Sequence, residues 1–248
     1  MTTRGMTPTV DFPVPARALA IGAHPDDVEF GCGGTLAKWA AAGCTIHHLV
    51  CTDGSKGSWD PEADPHRLVM VRQEEQRAAS RALGGTGAVT FLAWRDGELE
   101  SGLRQRAEVC GWIRQIRPDV VLGHDPWKRY RLHPDHRHAG LLTVEGIVAA
   151  RDPHFFPEQA WPAHRPGALM LWEADMANHV EDISTSIEAK LAALLQHRSQ
   201  FRSTMAIDDP EATDQYDRFA ARVRTKSADH GAGANLAYGE QFALLTDL

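Results

Sequence analysis

The alternation of short apolar runs with longer amphipathic segments constrains the fold of this chain most. Over the first 150 residues the apolar runs, which we interpret as buried strands, lie at 18–22, 45–51, 89–92 and 119–123. The helices predicted to follow them lie at about 33–42, 65–83, 103–117 and 135–150. Strands that alternate with helices in this way form a parallel sheet with helices on both faces. We therefore predict an α/β fold with a Rossmann-like, mostly parallel sheet.

The last hundred residues show a weaker pattern. Residues 152–168 are rich in Pro, His and aromatic side chains and are interpreted as a loop, and 184–200 as a helix. The polar segment 203–235 is interpreted as an insertion or a flexible segment. Residues 1–16, rich in Thr and Pro, read as a flexible N-terminal arm. The prediction is thus an arm followed by one domain, 17–248, whose C-terminal portion is less regular.

Composition excludes several classes of function. The 26 basic and 33 acidic residues give a net charge of -7, which leaves no basic surplus for neutralising the phosphates of a nucleic acid. No apolar run approaches the roughly 20 residues of a transmembrane helix, and the N-terminus lacks the apolar core of a signal peptide. The four cysteines form no CxxC pair. We therefore expect a cytoplasmic protein with reduced thiols, no transmembrane segment and no nucleic-acid partner.

Histidines and carboxylates concentrate where a site is expected. In open α/β sheets, ligands bind beyond the carboxyl ends of the strands. The first strand runs into His24-Pro25-Asp26-Asp27, the strand at 119–123 runs into His124-Asp125, and His133-Pro134-Asp135-His136-Arg137-His138 follows shortly after. Imidazole and carboxylate groups are ligands for Zn²⁺, and a catalytic site needs only three of them. The pattern therefore favours a metal site.

Simpler interpretations exist for the same residues. Asp26 and Asp27 are also suited to capping the helix that follows them, since Asp is a good N-cap residue. Asp135 can cap its own helix in the same way, and the whole segment 133–138 can be a solvated loop. His138 lies two residues beyond His136 and should point elsewhere on a helix, so we expect it at the surface. The metal interpretation gains from the two histidine-rich segments occurring together.

The segment AHPDDVEFGCGGTLAKWAAAG, together with HPDH at 133–136, resembles the LmbE-like, or PIG-L, deacetylases. These include the N-acetylglucosaminyl-phosphatidylinositol de-N-acetylases and the deacetylases of mycothiol and bacillithiol biosynthesis. The resemblance continues through 52–58, 71–84, 91–99 and 117–126 and weakens after about residue 150. It implies a zinc-dependent hydrolase, although another divalent metal can serve, that removes an acetyl group from the nitrogen of an N-acetylglucosamine-type conjugate.

The resemblance also implies roles for individual residues. The metal ligands of the family match His24, Asp27 and His136. Asp26 matches the general base that takes and delivers protons beside the metal. His133 matches the residue that stabilises or protonates the tetrahedral intermediate.

Four further residues complete the predicted site. We expect Asp135 to pair with the imidazole of His133 and keep it charged. Arg72 and Asp96 match family residues that hold sugar hydroxyls, although a solvated helix charge and a turn-forming aspartate explain them equally well. His124 follows a buried strand directly and is expected behind the metal ligands or along the substrate, or else in a structural role.

The predicted function is metal-dependent N-deacetylation of a small sugar amide. One alternative is an amidase of the same chemistry that acts on a larger thiol-conjugate or glycopeptide amide. Another is a non-catalytic sugar- or metal-binding protein on the same fold, which would not need both Asp26 and His133. The sequence leaves the exact substrate and the metal open, and is compatible with a homo-oligomer.

Overall fold

A computed structural model describes residues 7–248 and contains one eight-stranded sheet. Its strands are β1 (Thr9–Val10), β2 (Arg17–Gly22), β3 (Thr45–Thr52), β4 (Val89–Trp94), β5 (Val120–His124), β6 (Ala168–Trp172), β7 (His179–Asp182) and β8 (Gly239–Leu245). The order across the sheet is β1-β7-β8-β6-β5-β2-β3-β4. Strand β8 is antiparallel to β6 and β7, and every other neighbouring pair is parallel. The predicted α/β class and mostly parallel sheet are confirmed.

Among residues 7–248, six α-helices cover this sheet: α1 (Asp27–Ala41), α2 (Pro65–Ala82), α3 (Leu103–Ile116), α4 (Pro134–Arg151), α5 (Ile187–Leu194) and α6 (Thr213–Ala232). Because successive side chains of a strand point to opposite faces, β2 contributes to two separate cores. Ala18 and Ala20 pack with residues of α1, α2 and α5 on one face. Leu19 and Ile21 pack with residues of α3 and α4 on the other. The strand is buried on both sides, which explains why it is apolar throughout.

The order of the strands determines where a site can form. From β2 the chain proceeds outward to β3 and β4, then returns through α3 to β5, which lies on the other side of β2. The connections after β2 and β5 therefore diverge and leave a crevice beyond the carboxyl ends of these two strands, the position at which open α/β sheets bind ligands.

Helix α1 begins earlier than predicted and is broken. It starts at Asp27, and its helical backbone is interrupted at Cys32, where φ is -148°. Beyond the break the free N–H groups of Gly34 and Thr35 donate to the carboxylate of Glu240 at 2.9 and 2.8 Å. A carboxylate is favoured at a helix N-terminus, so a residue of β8 stabilises the second half of α1. The predicted start near Gly33 corresponds to this second half.

The interpretation of 203–235 as an insertion or a flexible segment is wrong for Thr213–Ala232, which forms α6. The helix is polar except for one narrow stripe. Phe219 and Val223, one turn apart, are buried in a third apolar cluster with residues of α5 and of 201–207. Because most residues of this helix are polar, its narrow apolar stripe did not indicate a buried helix in the sequence. Strands β7 and β8 were not predicted either.

The expected flexible arm is also incorrect where the structure describes it. Thr9 and Val10 pair in parallel with β7, and Asp11 lies 2.7 Å from the ammonium of Lys38. Residues 7–16 are thus attached to the sheet edge, because β7 offers free backbone groups to them. The first six residues of the predicted arm lie outside the described residues. Between residues 7 and 248, no helix is long and apolar enough to cross a membrane.

Candidate active site

A cleft of about 500 Å³ opens at the crevice between β2 and β5. The segments that follow these two strands and the first turn of α4 converge on it. The cleft is lined by eight of the nine predicted site residues, namely His24, Asp26, Asp27, Arg72, Asp96, His124, His133 and His136. The ninth, Asp135, is fully buried behind them. The structure therefore brings together residues that lie more than 100 positions apart in the chain.

Three of these side chains have the spacing of metal ligands. His24 Nδ1 lies 3.4 Å from Asp27 Oδ2, and His136 Nε2 lies 3.2 Å from Asp27 Oδ1. Ligands at about 2.0–2.1 Å from a tetrahedral Zn²⁺ stand roughly 3.3–3.4 Å from one another. Two imidazoles and one carboxylate also form a donor set that suits this ion. The residues present therefore fit a divalent cation.

Two other trios have ligand atoms within 4.8 Å of one another: His24 with Asp96 and His133, and His124 with His136 and Glu173. Both share a histidine with the first trio. They are less suited to a metal, because the other nitrogen of His24 and the ring of His124 have partners of their own, described next.

The second nitrogen of His24 faces two carboxylates. Its Nε2 lies 3.1 Å from Asp135 Oδ2 and 3.2 Å from Asp96 Oδ1. Burial disfavours a charged imidazole, but Asp135, Asp27 and Asp96 outweigh burial and hold the pKa of His24 well above its usual value. A carboxylate behind a ligating histidine fixes the ring and leaves the opposite nitrogen free to bind metal. Asp135 therefore supports His24 Nδ1 as a ligand atom.

The expected pairing of Asp135 with the imidazole of His133 is wrong. The carboxylate of Asp135 accepts from His24 and from the backbone N–H groups of Gly97 at 2.6 Å and Leu99 at 3.2 Å. Only its backbone N–H reaches His133, donating to Nδ1 at 3.3 Å. The carboxylate is drawn away because three donors converge on it in the interior, whereas His133 is exposed.

His133 consequently has a different protonation from the one expected. Partial burial of the ring and then the charges of His24 and His136 lower its pKa, and the nearby carboxylates do not compensate. The hydrogen bond that Nδ1 accepts assigns the proton of the neutral ring to Nε2. A neutral imidazole with its N–H at Nε2 can donate a hydrogen bond.

His124 has the surroundings of a supporting residue. The indole N–H of Trp172 donates to its Nδ1 at 3.0 Å, which assigns its proton to Nε2. That nitrogen lies 3.2 Å from Asp27 Oδ2. Burial lowers the pKa of His124 despite the carboxylate, so the ring is neutral. The nitrogen of His124 that faces the candidate ligand Asp27 therefore carries a proton. A protonated nitrogen has no lone pair for a metal ion, so His124 is not expected to bind the metal directly.

Asp26 occupies a conformation that few residues other than glycine adopt. Its φ is 106°, in the left-handed region. The side chain of Asp26 lines the cleft and lies 3.6 Å from Arg72 Nη2. Burial raises the pKa of Asp26 to about 6, against the opposing charge of Arg72. Backbone strain of this kind costs about 1–3 kcal/mol and must be offset by surrounding contacts.

A buried chain of hydrogen bonds supplies such contacts. The backbone N–H of Asp26 donates to Gln76 Oε1 at 2.9 Å, and Gln76 Nε2 donates to Glu29 Oε1 at 2.7 Å. His197 Nε2 lies 3.2 Å from the other oxygen of Glu29. Since a carboxylate only accepts hydrogen bonds, Glu29 fixes the orientation of the Gln76 amide and directs its oxygen to Asp26. No pattern in the sequence indicated this chain of hydrogen bonds.

Arg72 and Asp96 lie on the wall of the same cleft, but both have protein partners. Arg72 donates to the carbonyl oxygens of Gly54 at 2.9 Å and Pro25 at 2.6 Å. Asp96 accepts from the backbone N–H of Lys56 at 2.9 Å as well as facing His24. The bond from Arg72 to Pro25 fixes the loop that carries Asp26. The sugar-binding role of Arg72 and Asp96 stays a prediction.

Residues 19–147 match the protein family described as PIG-L, GlcNAc-PI de-N-acetylase. The chain is 34% identical over 227 residues to the diacetylchitobiose deacetylase of Thermococcus kodakarensis, covering 90% of this chain and 81% of that protein. It is 30% identical over 240 residues to a 1D-myo-inositol 2-acetamido-2-deoxy-alpha-D-glucopyranoside deacetylase of Thermomonospora curvata, covering 74% of this chain and 80% of the relative.

The fold is similar to that of a solved structure from the same group. The N,N'-diacetylchitobiose deacetylase of Pyrococcus horikoshii, in complex with an inhibitor, superimposes with a TM-score of 0.84 at 29% sequence identity. The match covers 94% of this chain and 84% of that one, so it includes the C-terminal part beyond residue 150.

Proposed function

Because the chain belongs to the PIG-L family of de-N-acetylases, we propose that it hydrolyses the N-acetyl group of an N-acetylglucosamine-type sugar conjugate with the help of a divalent cation, Zn²⁺. The observation that carries the proposal is the convergence of His24, Asp27 and His136 at metal-ligand spacing beside a second carboxylate, Asp26.

We assign the cation to His24 Nδ1, a carboxylate oxygen of Asp27 and His136 Nε2. When bound, it would supply Lewis-acid polarisation of the amide carbonyl and acidify a water molecule. Asp135 holds the ring of His24 from behind, and His124 faces Asp27. These two contacts fix the ligands before substrate arrives, which is the role that neighbouring carboxylates and imidazoles have in metal sites.

Asp26 is the proposed general base. The attacking water must lose a proton as it adds to the amide carbon, and the departing amine must gain one. A carboxylate that is not itself a ligand can perform both transfers. Asp26 lines the cleft with a left-handed backbone, and Gln76 and Arg72 fix the loop that carries it.

His133 is the proposed donor to the oxyanion that develops on the amide oxygen. Its Nε2 proton is assigned by the bond that Nδ1 accepts, so the ring donates while neutral. A single donor of this kind contributes about 2.7–4 kcal/mol in other hydrolases. Arg72 and Asp96, which also line the cleft, remain the proposed contacts for sugar hydroxyls.

The test is release of acetate from N-acetylglucosamine and N,N'-diacetylchitobiose by the purified protein. Activity should disappear after treatment with a chelator and return on addition of Zn²⁺. A panel of larger amides, including glycopeptide and thiol-conjugate amides, separates a deacetylase from an amidase of broader substrate range. If metal binds with the expected stoichiometry and no amide is hydrolysed, the proposal is wrong and a binding protein is the better description.

Helix α4 offers a matched pair of variants. His136→Ala should remove metal binding and activity together. His138→Ala should retain both, since His138 accepts from the backbone N–H of Ser101 at 3.2 Å and does not line the cleft. Equal loss in the two variants would show that damage to the helix, rather than loss of a ligand, causes the effect.

A further inference from the structure

The active cleft continues into a second cavity of about 220 Å³, which we call the side chamber. The two cavities share Phe30, Gly31, Glu173, Thr204 and Lys226 as lining residues, so they form one connected space. The volume is below the roughly 300–1,000 Å³ of independent small-molecule sites. The side chamber therefore suits a substituent of the molecule bound in the cleft rather than a separate ligand.

The side chamber has an apolar floor and a charged wall. Phe30, Phe219 and Val223 supply apolar surface. Helix α6 contributes Arg222 and Lys226 to the wall. These two residues are one turn apart on the helix, so that both can face the same space.

The negative groups of the side chamber already have partners. Glu240 pairs with Lys190 at 2.5 Å, and both are buried. Glu173 pairs with Arg131 at 2.6 Å and lies 3.7 Å from Lys128. These ion pairs neutralise the two carboxylates that line the chamber.

The two cations on α6 have no such neutralisation. Across residues 7–248, neither Arg222 nor Lys226 has a carboxylate oxygen within 4.0 Å. Arg222 donates to the carbonyl oxygen of Met205 and lies 5.7 Å from the centre of the Phe219 ring. Its remaining N–H groups and the ammonium of Lys226 are available to a ligand.

The charges that act on Lys226 are mixed, whereas those that act most strongly on His230 are positive. Partial burial lowers the pKa of Lys226, Glu173 raises it as the strongest neighbouring charge, Lys190 and Lys128 lower it, and Glu240 raises it. Burial also lowers the pKa of His230, and Lys226 and Lys190 add to the shift. Positive charges thus oppose one another around this space, and an anion placed among them would be stabilised.

We infer that the side chamber is a subsite for an anionic substituent, a phosphate or a carboxylate, carried by the sugar amide, and that Lys226 is the residue that selects it. This inference rests on the proposed deacetylase function and narrows its substrate class. Arg222 gives a second contact, and the apolar floor accepts the part of the molecule that links the anion to the sugar.

The test compares kcat/KM for three N-acetylglucosamine derivatives: the neutral methyl glycoside, the 1-phosphate and the 6-phosphate. At least one phosphate should be preferred, and the position preferred identifies which end of the sugar faces the chamber. Lys226→Gln should reduce the ratio of kcat/KM for the preferred phosphate over the methyl glycoside by about tenfold or more, as expected for one charge-assisted hydrogen bond. Lys226→Arg should restore most of the ratio, and increasing salt should weaken it.

Arg218→Gln is the matched control, because Arg218 lies on the same helix, is exposed and pairs with Asp214 outside the chamber. Its ratio should equal that of the wild type. Equal kcat/KM for neutral and phosphorylated substrates in the wild type, or a preference that survives Lys226→Gln, would refute the anion subsite and leave the deacetylase function intact. Failure to deacetylate any of the three substrates would instead refute the proposed function, and the inference with it.

Discussion

Replacing Asp135 by Asn tests whether this carboxylate supports the metal site through His24. The carboxylate is fully buried and accepts from three donors, the N–H groups of Gly97 and Leu99 and Nε2 of His24. An asparagine has the same shape but only one acceptor oxygen. In the better orientation, this oxygen still accepts from the N–H of Gly97 and from Nε2 of His24. The NH₂ group of the asparagine then faces the N–H of Leu99, which loses its acceptor.

The expected loss of stability follows from these contacts. One buried donor without an acceptor costs about 1–3 kcal/mol, and loss of charge assistance weakens each remaining bond by about 1 kcal/mol. We expect Asp135→Asn to lower the free energy of unfolding by about 3–5 kcal/mol in the presence of a chelator. Loss of the carboxylate behind His24 should also weaken Zn²⁺ binding by about 10- to 100-fold.

Urea denaturation and calorimetric titration with Zn²⁺ measure the two effects. The control is Asp152→Asn, since Asp152 accepts only from the N–H of His154 through its side chain, near the surface, and Asn can accept that bond as well. An Asp135→Asn variant with wild-type stability and wild-type Zn²⁺ affinity would refute the role of Asp135. Lower stability with unchanged Zn²⁺ affinity would show that Asp135 supports the fold but not His24.

Three further predictions concern the first turn of α1 and its support. Asp26→Asn should lose about 10²–10⁴-fold in kcat while binding metal normally, whereas Asp27→Asn should lower metal occupancy; the reverse pattern would exchange their roles. Gln76→Leu removes two buried hydrogen bonds and should lower the free energy of unfolding by about 2–5 kcal/mol, as measured by urea denaturation. The hydrogen bond from His197, together with the nearby imidazole of His48, outweighs burial and lowers the pKa of Glu29 from 4.5 to about 2, so its stabilisation is complete above pH 4.5 and disappears as pH falls towards 2. Glu29→Gln should flatten that part of the pH–stability curve, and an unchanged curve would contradict the assignment.

Local patterns in the sequence were sufficient to predict the framework of the site. Strand β2 is apolar throughout because both faces are covered, and this run together with the segment after it identified the first strand of a parallel sheet. Since parallel strands end at the same edge, the residues that follow β2 and β5 had to lie close together. His24, Asp27 and His136 were therefore predictable as neighbours. Gln76 was also within reach of the sequence, because it lies one helical turn from Arg72.

Other features depend on contacts between distant segments. Helix α6 and strand β8 have little apolar signal of their own, and β8 exists because Phe242 pairs with Trp172 and with His179 in the adjacent strands. The hydrogen-bond donors to the carboxylate of Asp135 were equally impossible to predict from the local sequence. Its sequence neighbour is His133, yet the folded chain brings the donors Gly97, Leu99 and His24 around its carboxylate.

The sequence by itself determined the α/β sheet, the edge at which the site forms and the residue types that meet there, because periodicity and strand-end position are local properties. Only the tertiary structure decided which oxygen faces which nitrogen. A buried carboxylate must satisfy the donors that surround it in space, and those donors come from separate parts of the chain. For this reason the chemistry of His133, His24 and Lys226 depends on the packing of segments that the sequence does not place next to one another.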